Sequence, residues 1–217
     1  FANKSINQGT KIFENTIAKR FIKRNDCWEI VTSSGKFYSP CIINCSGAWG
    51  GELAKLLGDK EIPIKPYAPM LAITETQPQF LNSVIGMVNA ALSLKQINTG
   101  QLIIGGGVRA DASIEKNQAS INALGLKESI NNALSVFPHI NNIRIIRSWS
   151  GIEGFLPDNL PVIGYGSTEG VIHAFGFSAH GFQLGPAVGE AIADLGMRMQ
   201  PRIRLDPFSI SRFKNHK

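Results

Sequence analysis

The sequence predicts an α/β (α+β) fold that combines a ligand-binding layer of parallel type with a separate strand-rich region. Three observations carry that reading. Near the end, Val171 to Phe175 is a short apolar run of strand composition, followed by a glycine-spaced loop and then by apolar residues at helical spacing. Further upstream, Cys41-Ile-Ile-Asn-Cys45 is a continuous apolar run ending in Ser46-Gly47, the pattern of a strand buried on both faces in a parallel sheet. Between the two, the chain from Ile62 to Trp149 reads mainly as strands, interrupted by one helical pattern.

Taken in order, residues 9–24 alternate loosely around Ile12, Ile17, Phe21 and Ile22. Cys27 to Thr32 and Lys36 to Tyr38 flank a Ser-Gly turn and form a β meander. Glu52 to Leu57 is a short helix stopped at Gly58, so Ser46-Gly47 lies at the carboxyl end of a strand, the edge where open α/β sheets bind ligands. Met70 to Thr76, Val84 to Val88, Leu92 to Ile97 and Leu102 to Ile104 are the next strands, with Asn98-Thr-Gly100 as a turn. Gly105-Gly106-Gly107 opens no helix in the G-x-G-x-x-G manner and reads as a turn or bulge. Helix-spaced apolar residues from Ile114 to Phe137, such as Ile121, Leu124, Ile130 and Leu134, are broken near Gly125 and ended by Pro138, and Ile143 to Trp149 returns as a strand. Residues 151–164 read as loop.

In the last unit Pro186 suits a first helical position, where its missing N–H costs nothing. Leu184, Ala187, Val188, Ala191, Ile192 and Leu195 then share one face, while Gly185 and Gly189 leave room for another backbone. A strand–loop–helix unit aims free N–H groups and a helix dipole at one point, which suits a phosphate, a carboxylate or the electron-rich edge of a ring. No Gly-Lys-Ser/Thr makes it a Walker loop. A tight turn without any ligand satisfies the same pattern, but Phe177, His180 and Phe182 inside a glycine loop favour a planar ligand.

Composition excludes several classes. The 217 residues suffice for one large or two small domains, and 43% hydrophobic with 18% charged residues describes an ordinary globular protein. No apolar run is long enough to span a membrane. The net charge of +6 is dispersed among apolar residues with no reader motif, so nucleic acid is not an expected partner. Cys27, Cys41 and Cys45 offer no second ligand pair for zinc and read as buried reduced thiols, which fits a cytoplasmic compartment. The chain starts at Phe1 without a leader and reads as a piece whose start lies upstream.

Four pieces together resemble one family: Gly9…Asn15-Thr16-Ile17; Ile43-Asn-Cys-Ser-Gly-Ala-Trp49; Arg147-Ser-Trp-Ser-Gly-Ile-Glu-Gly…Pro157-Asp158…Pro161-Val-Ile-Gly164; and Ala174-Phe-Gly-Phe-Ser-Ala-His-Gly-Phe-Gln-Leu-Gly-Pro186. Their order and spacing resemble the FAD-dependent D-amino acid oxidase superfamily, nearest its sarcosine oxidase, glycine oxidase and amino acid dehydrogenase branch. The resemblance implies part of an FAD/NAD(P)-binding Rossmann-like domain, residues 1–58 with 148–217, and a mixed β-sheet substrate domain covered by helices, residues 59–147. The family's opening G-x-G-x-x-G segment has no counterpart here, so the piece alone is expected to be inactive.

By the same resemblance Ile17 meets the adenine through its backbone, and Ser46, Gly47 and Trp49 lie along the FAD. His180, Gly181, Phe182 and Gln183 face the flavin pyrimidine edge, with His180 and Gln183 as the catalytic candidates. Hydride passes from the carbon beside an amine nitrogen to the flavin, and water hydrolyses the imine. Glu153, Met70 and Arg147 are the implied substrate residues; Met70 also reads as core, Trp149 as core, and Arg147 as a partner for Glu153 or Asp158. Arg109, just after the glycine turn, is a candidate to reach the pocket, whereas His173 inside an apolar strand reads as a satisfied core residue. Where relatives hold a substrate carboxylate with Arg or Lys, this chain has Glu153 and Gln183. Where they link flavin through Cys, it has Gly151, which implies non-covalent FAD. The implied partners are a small amine or amino acid and, in a homo- or hetero-oligomer, other subunits. A non-catalytic flavoprotein subunit of a larger dehydrogenase complex and a plain binding module are the alternatives.

Overall fold

The computed structural model describes residues 1–213. A six-residue helix α1 (Ala2–Asn7) precedes a first, antiparallel sheet of β1 (Ala18–Arg24), β2 (Cys27–Thr32) and β3 (Gly35–Ser39). This is the expected meander, with β1 added ahead of it. Trp28 is buried and its indole N–H donates to the Glu169 carbonyl at 3.3 Å, which ties the meander to the turn before the last strand. Beside it Glu29 lies 2.7 Å from Lys36 and 3.1 Å from Arg24, and these two cations hold its carboxyl below the usual range.

The second sheet is built from β4 (Ile42–Asn44), β12 (Val162–Tyr165) and β13 (Val171–Phe175), in the order β12–β13–β4. β13 runs parallel to β4 and antiparallel to β12 and is buried along its whole length. Helix α2 (Gly50–Leu56) follows β4, ending where Gly58 takes a φ of +97°. Gly50 lies so close to β13 that a Cβ there would run into the Phe175 ring. Two expectations need correcting. Residues 161–164 are not loop: Val162 and Ile163 are buried and find main-chain partners on β13, so they form a strand. Nor is β4 buried on both faces. It is the edge of its sheet, and Ile43 and Cys45 are exposed, so the Cys45 thiol is not a buried one.

The third sheet has seven strands and follows the path β10 (Ile145–Ser150), β5 (Lys65–Thr76), β8 (Gln101–Ser113), β7 (Ser93–Gln96), β6 (Ile85–Gly86). β11 (Glu153–Phe155) continues the pairing of β10 along β5, and β9 (Gln118–Ala119) pairs with the end of β8. β5 is central yet contains proline: Pro69 sits at the gap between β10 and β11, where a lost N–H breaks no ladder. Opposite it, Leu71 pairs with Gly105 and Pro69 with Arg109, so β8 carries two extra residues, Gly106 and Gly107. Their φ values of +106° and +84° are why glycine stands there. The triple glycine is therefore a bulge inside a strand, as the sequence reading has it.

Helix α3 (Ala123–Val136) covers this sheet, capped by the Asn122 side chain, which accepts from the Gly125 N–H at 3.1 Å. The helix does not reach back to Ile114 as its spacing suggests, because Gln118 and Ala119 pair with β8, and Gly125 does not break it. That glycine lies in the first turn, where a Cβ would strike Val108 on β8. Leu94, Leu102, Ile104 and Ala133 form the core between helix and sheet. Helix α4 (Gly181–Gly196) packs Val188, Ala191, Ile192 and Leu195 onto the β12–β13 layer. It starts five residues earlier than Pro186 implies, because the loop turns over at Ser178 and Ala179 and leaves Gly181 free to begin the helix. Leu184 and Ala187 are exposed, so the buried stripe is shorter than the spacing predicts.

Candidate functional site

A cleft of about 540 Å³ opens between the bulged end of the seven-stranded sheet and the loop before α4. Met70, Val108, Arg109, Trp149, Glu153 and Phe155 are among its walls, and Ala179 closes it from the loop side. Gly151 also faces it, with open space where a side chain would be. Among the substrate residues implied by resemblance, Met70 and Glu153 are brought together here. Arg147 is not: it is exposed on β10, 5.8 Å from the Trp149 ring, outside the cleft wall. The acidic partners expected for it are engaged elsewhere, Asp158 with Arg212 at 2.8 Å and Glu153 with the Ala179 N–H at 2.6 Å.

The loop from Gly176 to His180 is stitched to β11 by three hydrogen bonds. The Ser178 N–H donates to the Gly154 carbonyl at 3.3 Å, the Leu156 N–H to the Ser178 hydroxyl at 3.2 Å, and the Ala179 N–H to Glu153. Ser178 and Ala179 have φ values of +50° and +72°, a conformation L-residues adopt only under such constraint. The turn presents the start of α4 outward. His180 is the N-cap, with Nδ1 2.8 Å from the Ser178 carbonyl, so its bonding nitrogen faces the loop rather than the helix. No side chain caps α4, and the Gly181, Phe182 and Gln183 N–H groups have no acceptor among the described residues. Phe182 and Gln183 are exposed, Phe182 completely at 99%.

A second edge lies at the end of β4. Ser46 donates both its N–H (3.2 Å) and its hydroxyl (2.6 Å) to the Asn44 amide oxygen, Gly47 has a φ of +59°, and the Trp49 indole donates to the Ile114 carbonyl at 3.3 Å. With its proton committed, the Ser46 hydroxyl has only lone pairs left for a ligand. Behind it runs a buried chain that sequence reasoning missed. The Asn44 amide nitrogen donates to the Gly50 carbonyl at 2.9 Å and to His173 Nδ1 at 3.1 Å, and His173 Nε2 lies 2.9 Å from Asp59. His173 is a satisfied core residue, as its position in an apolar strand implies. The one signal for its partners was a polar Asn at the end of an apolar run. At the far end Ile17 is exposed, but its N–H already donates to the Ser33 hydroxyl at 3.0 Å and its carbonyl accepts from the Ser33 N–H.

Comparison with known proteins identifies the family. The family model described as FAD dependent oxidoreductase (DAO) matches residues 1–195. The chain belongs to that family. FAD is thus the family's cofactor, and the mixed architecture with a Rossmann-like portion is the family's fold. Among curated relatives, hydrogen cyanide synthase subunit HcnC of Pseudomonas aeruginosa is 25% identical over 84% of this chain and 42% of its own length. Sarcosine oxidase subunit beta of an Arthrobacter species is 23% identical over 99% of this chain and 52% of its own. The L-proline dehydrogenase structure from P. horikoshii superposes with a TM-score of 0.90 at 28% identity, covering 98% of this chain and 57% of that one. The chain spans about half the length of the curated relatives it matches. No helix of the described residues is long and apolar enough to cross a membrane.

Proposed function

We propose that the full-length protein oxidises the C–N bond of an amine or amino acid, with non-covalently bound FAD as hydride acceptor. The observation that carries this reading is the junction at Ala179: an apolar cleft of substrate size meets an uncapped helix start, and Glu153 holds the two together. The donor set fits the cofactor. Three free N–H groups at the head of a sixteen-residue helix suit the electron-rich edge of a flavin ring, a dipole interaction worth about 0.3–2 kcal/mol. Ser46, able only to accept, suits a hydroxyl of the cofactor's sugar or ribityl chain better than a phosphate oxygen. Ile17 would reach an adenine only by giving up its Ser33 bond.

When bound, FAD supplies the two-electron chemistry. The residues of this chain supply the rest. The cleft walls Met70, Trp149 and Phe155 exclude water from the carbon that loses hydride, and Glu153 holds the loop that sets the helix start against it. His180 and Gln183, at the head of α4 beside the cleft rather than on its wall, are the polar side chains we assign to the reacting groups. A cytoplasmic location fits three free cysteines. Mixing the FAD-loaded full-length protein with amines and amino acids under anaerobic conditions tests the proposal. Bleaching of the yellow flavin band by at least one of them is expected, and a band that persists with all of them overturns it in favour of a non-catalytic subunit. That second reading draws on the absence of cations at positions 153 and 183 and on the relatives named as subunits.

A further inference from the structure

The cleft contains a cation with no ion-pair partner among the described residues. Arg109 follows the two-glycine bulge of β8 and lies on the cleft wall. Its guanidinium rests 3.8 Å above the Phe155 ring and 5.4 Å from the Tyr67 ring, and those two rings meet edge to face at 5.5 Å. No carboxylate lies within ion-pair distance of it among the described residues, whereas Arg24 and Lys36 have Glu29, Arg144 has Glu75 and Arg212 has Asp158. Stacking on two rings fixes the plane of a guanidinium and leaves its N–H edge free, and that edge matches a carboxylate in bidentate fashion. On the same wall Glu153 spends one oxygen on the Ala179 N–H and has the other free of any bond among the described residues. Glu153 and Phe155 are alternate residues of β11, and Tyr67 pairs directly with Glu153, so the anion and the ring platform share one face. The cleft therefore presents an unpaired positive group and a half-used negative one that do not neutralise each other.

Resting on the reading of the cleft as the substrate pocket, we propose that Arg109 is the specificity-determining residue that anchors the substrate's carboxylate, while Glu153 receives its amine. The substrate class is thereby narrowed to α-amino or N-alkyl-α-amino carboxylates, not simple amines. This assigns the cation to β8, since Glu153 and Gln183 carry no positive charge and Arg147 does not line the cleft.

The test compares acid and amine pairs of one skeleton on the FAD-loaded full-length protein: N-methylglycine with dimethylamine, proline with pyrrolidine, alanine of either hand with ethylamine. A single charge-assisted contact predicts a preference for the carboxylate member of about 10- to 100-fold in kcat/KM. Arg109→Met is expected to erase that preference, chiefly through KM, and Arg109→Lys to restore part of it. Binding is read separately by titrating benzoate, an unreactive carboxylate, against benzylamine and benzyl alcohol, following tryptophan fluorescence, since Trp149 lines the cleft. Benzoate affinity should fall at least tenfold in Arg109→Met and weaken with salt in the parent. Arg109 is exposed, so its replacement opens no cavity; a melting curve checks the fold, and Arg109→Gln replaces Met should that variant fail to accumulate. Unchanged KM values and unchanged benzoate affinity in Arg109→Met overturn the inference even if the flavin is reduced normally. Arg109-dependent benzoate binding with no substrate reducing the flavin overturns instead the oxidoreductase reading on which the inference rests.

Discussion

Asp59 has its side chain out of solvent, at 2% exposure, and still keeps its charge. Burial, the largest single influence, pushes its carboxyl upward, but hydrogen bonds from His173 and Ser167 together outweigh it and hold the group below its ordinary range. The network also dictates the tautomer. Both Asn44 amide protons are committed, to Gly50 and to His173 Nδ1, so His173 carries its proton on Nε2 and donates to Asp59. In Asp59→Asn a single amide oxygen must serve two donors: turned to His173 Nε2–H it leaves the amide N–H facing the Ser167 N–H, and turned to Ser167 it sets that amide N–H against Nε2–H. A buried donor is left unpaired either way, at a cost of about 1–3 kcal/mol in denaturant unfolding at pH 7. Because the folded pKa is depressed, the contribution of Asp59 is complete above its unfolded value near 4 and lost as pH falls through the folded one. The gap between parent and variant should therefore close on acidification, and a gap constant down to pH 3 would contradict this account. At this scale the sequence is legible only in part. Glu153 and Gly151 show themselves by position within a recognisable piece, whereas Met70 lies outside every such piece, and the Asp59–His173–Asn44 chain joins residues 114 apart with only Asn44 at the end of an apolar run to hint at it.

Strands and helices were more legible, because periodicity is a property of neighbours. The apolar run at 171–175 is a strand, and Pro138 follows the end of α3 as a stop should. Where the reading slipped, tertiary contact overrode a local rule. Gly125 and Gly50 look like breaks or loops and are instead points where a helix presses against a strand. Pro186 lies inside α4, whose start is set by the turn at Ser178 and not by proline. Gly50 offers the sharper test, since its φ of −58° would suit any residue. Gly50→Ala improves helix propensity by about 1 kcal/mol yet should destabilise the protein by about 1–3 kcal/mol, because α2 must lift off the Phe175 ring. A thermal melt that rises in the variant would show that α2 is free to move.

Across the whole molecule, the seven-stranded sheet meets the α4 layer through an apolar cluster that includes Leu156, Val162 and Phe175, and through the buried Ser178. Its hydroxyl satisfies the Leu156 N–H, and its backbone satisfies Gly154. Ser178→Ala should cost about 1–3 kcal/mol and, more tellingly, raise amide exchange across residues 176–184 while leaving α3 and its sheet protected. Uniform acceleration everywhere would mean that the stitch is not local. The cleft wall at Gly151 carries a second expectation: with no thiol there, acid precipitation of the FAD-loaded protein should release the yellow chromophore to the supernatant. Colour retained in the pellet would reveal a covalent link.

The bulge of β8 bears on how this protein can change in length. Its two surplus residues form an even number, so the alternation of faces before Gly105 continues in phase after Arg109. Loss of both glycines keeps that phase, whereas loss of one sets the two halves of the strand against each other. Insertions and deletions in this stretch should then be accepted in pairs. A single-codon slip would turn either the Arg109 side chain or its buried neighbour Ala110 to the wrong face, and the pocket's charge would be edited by arithmetic alone.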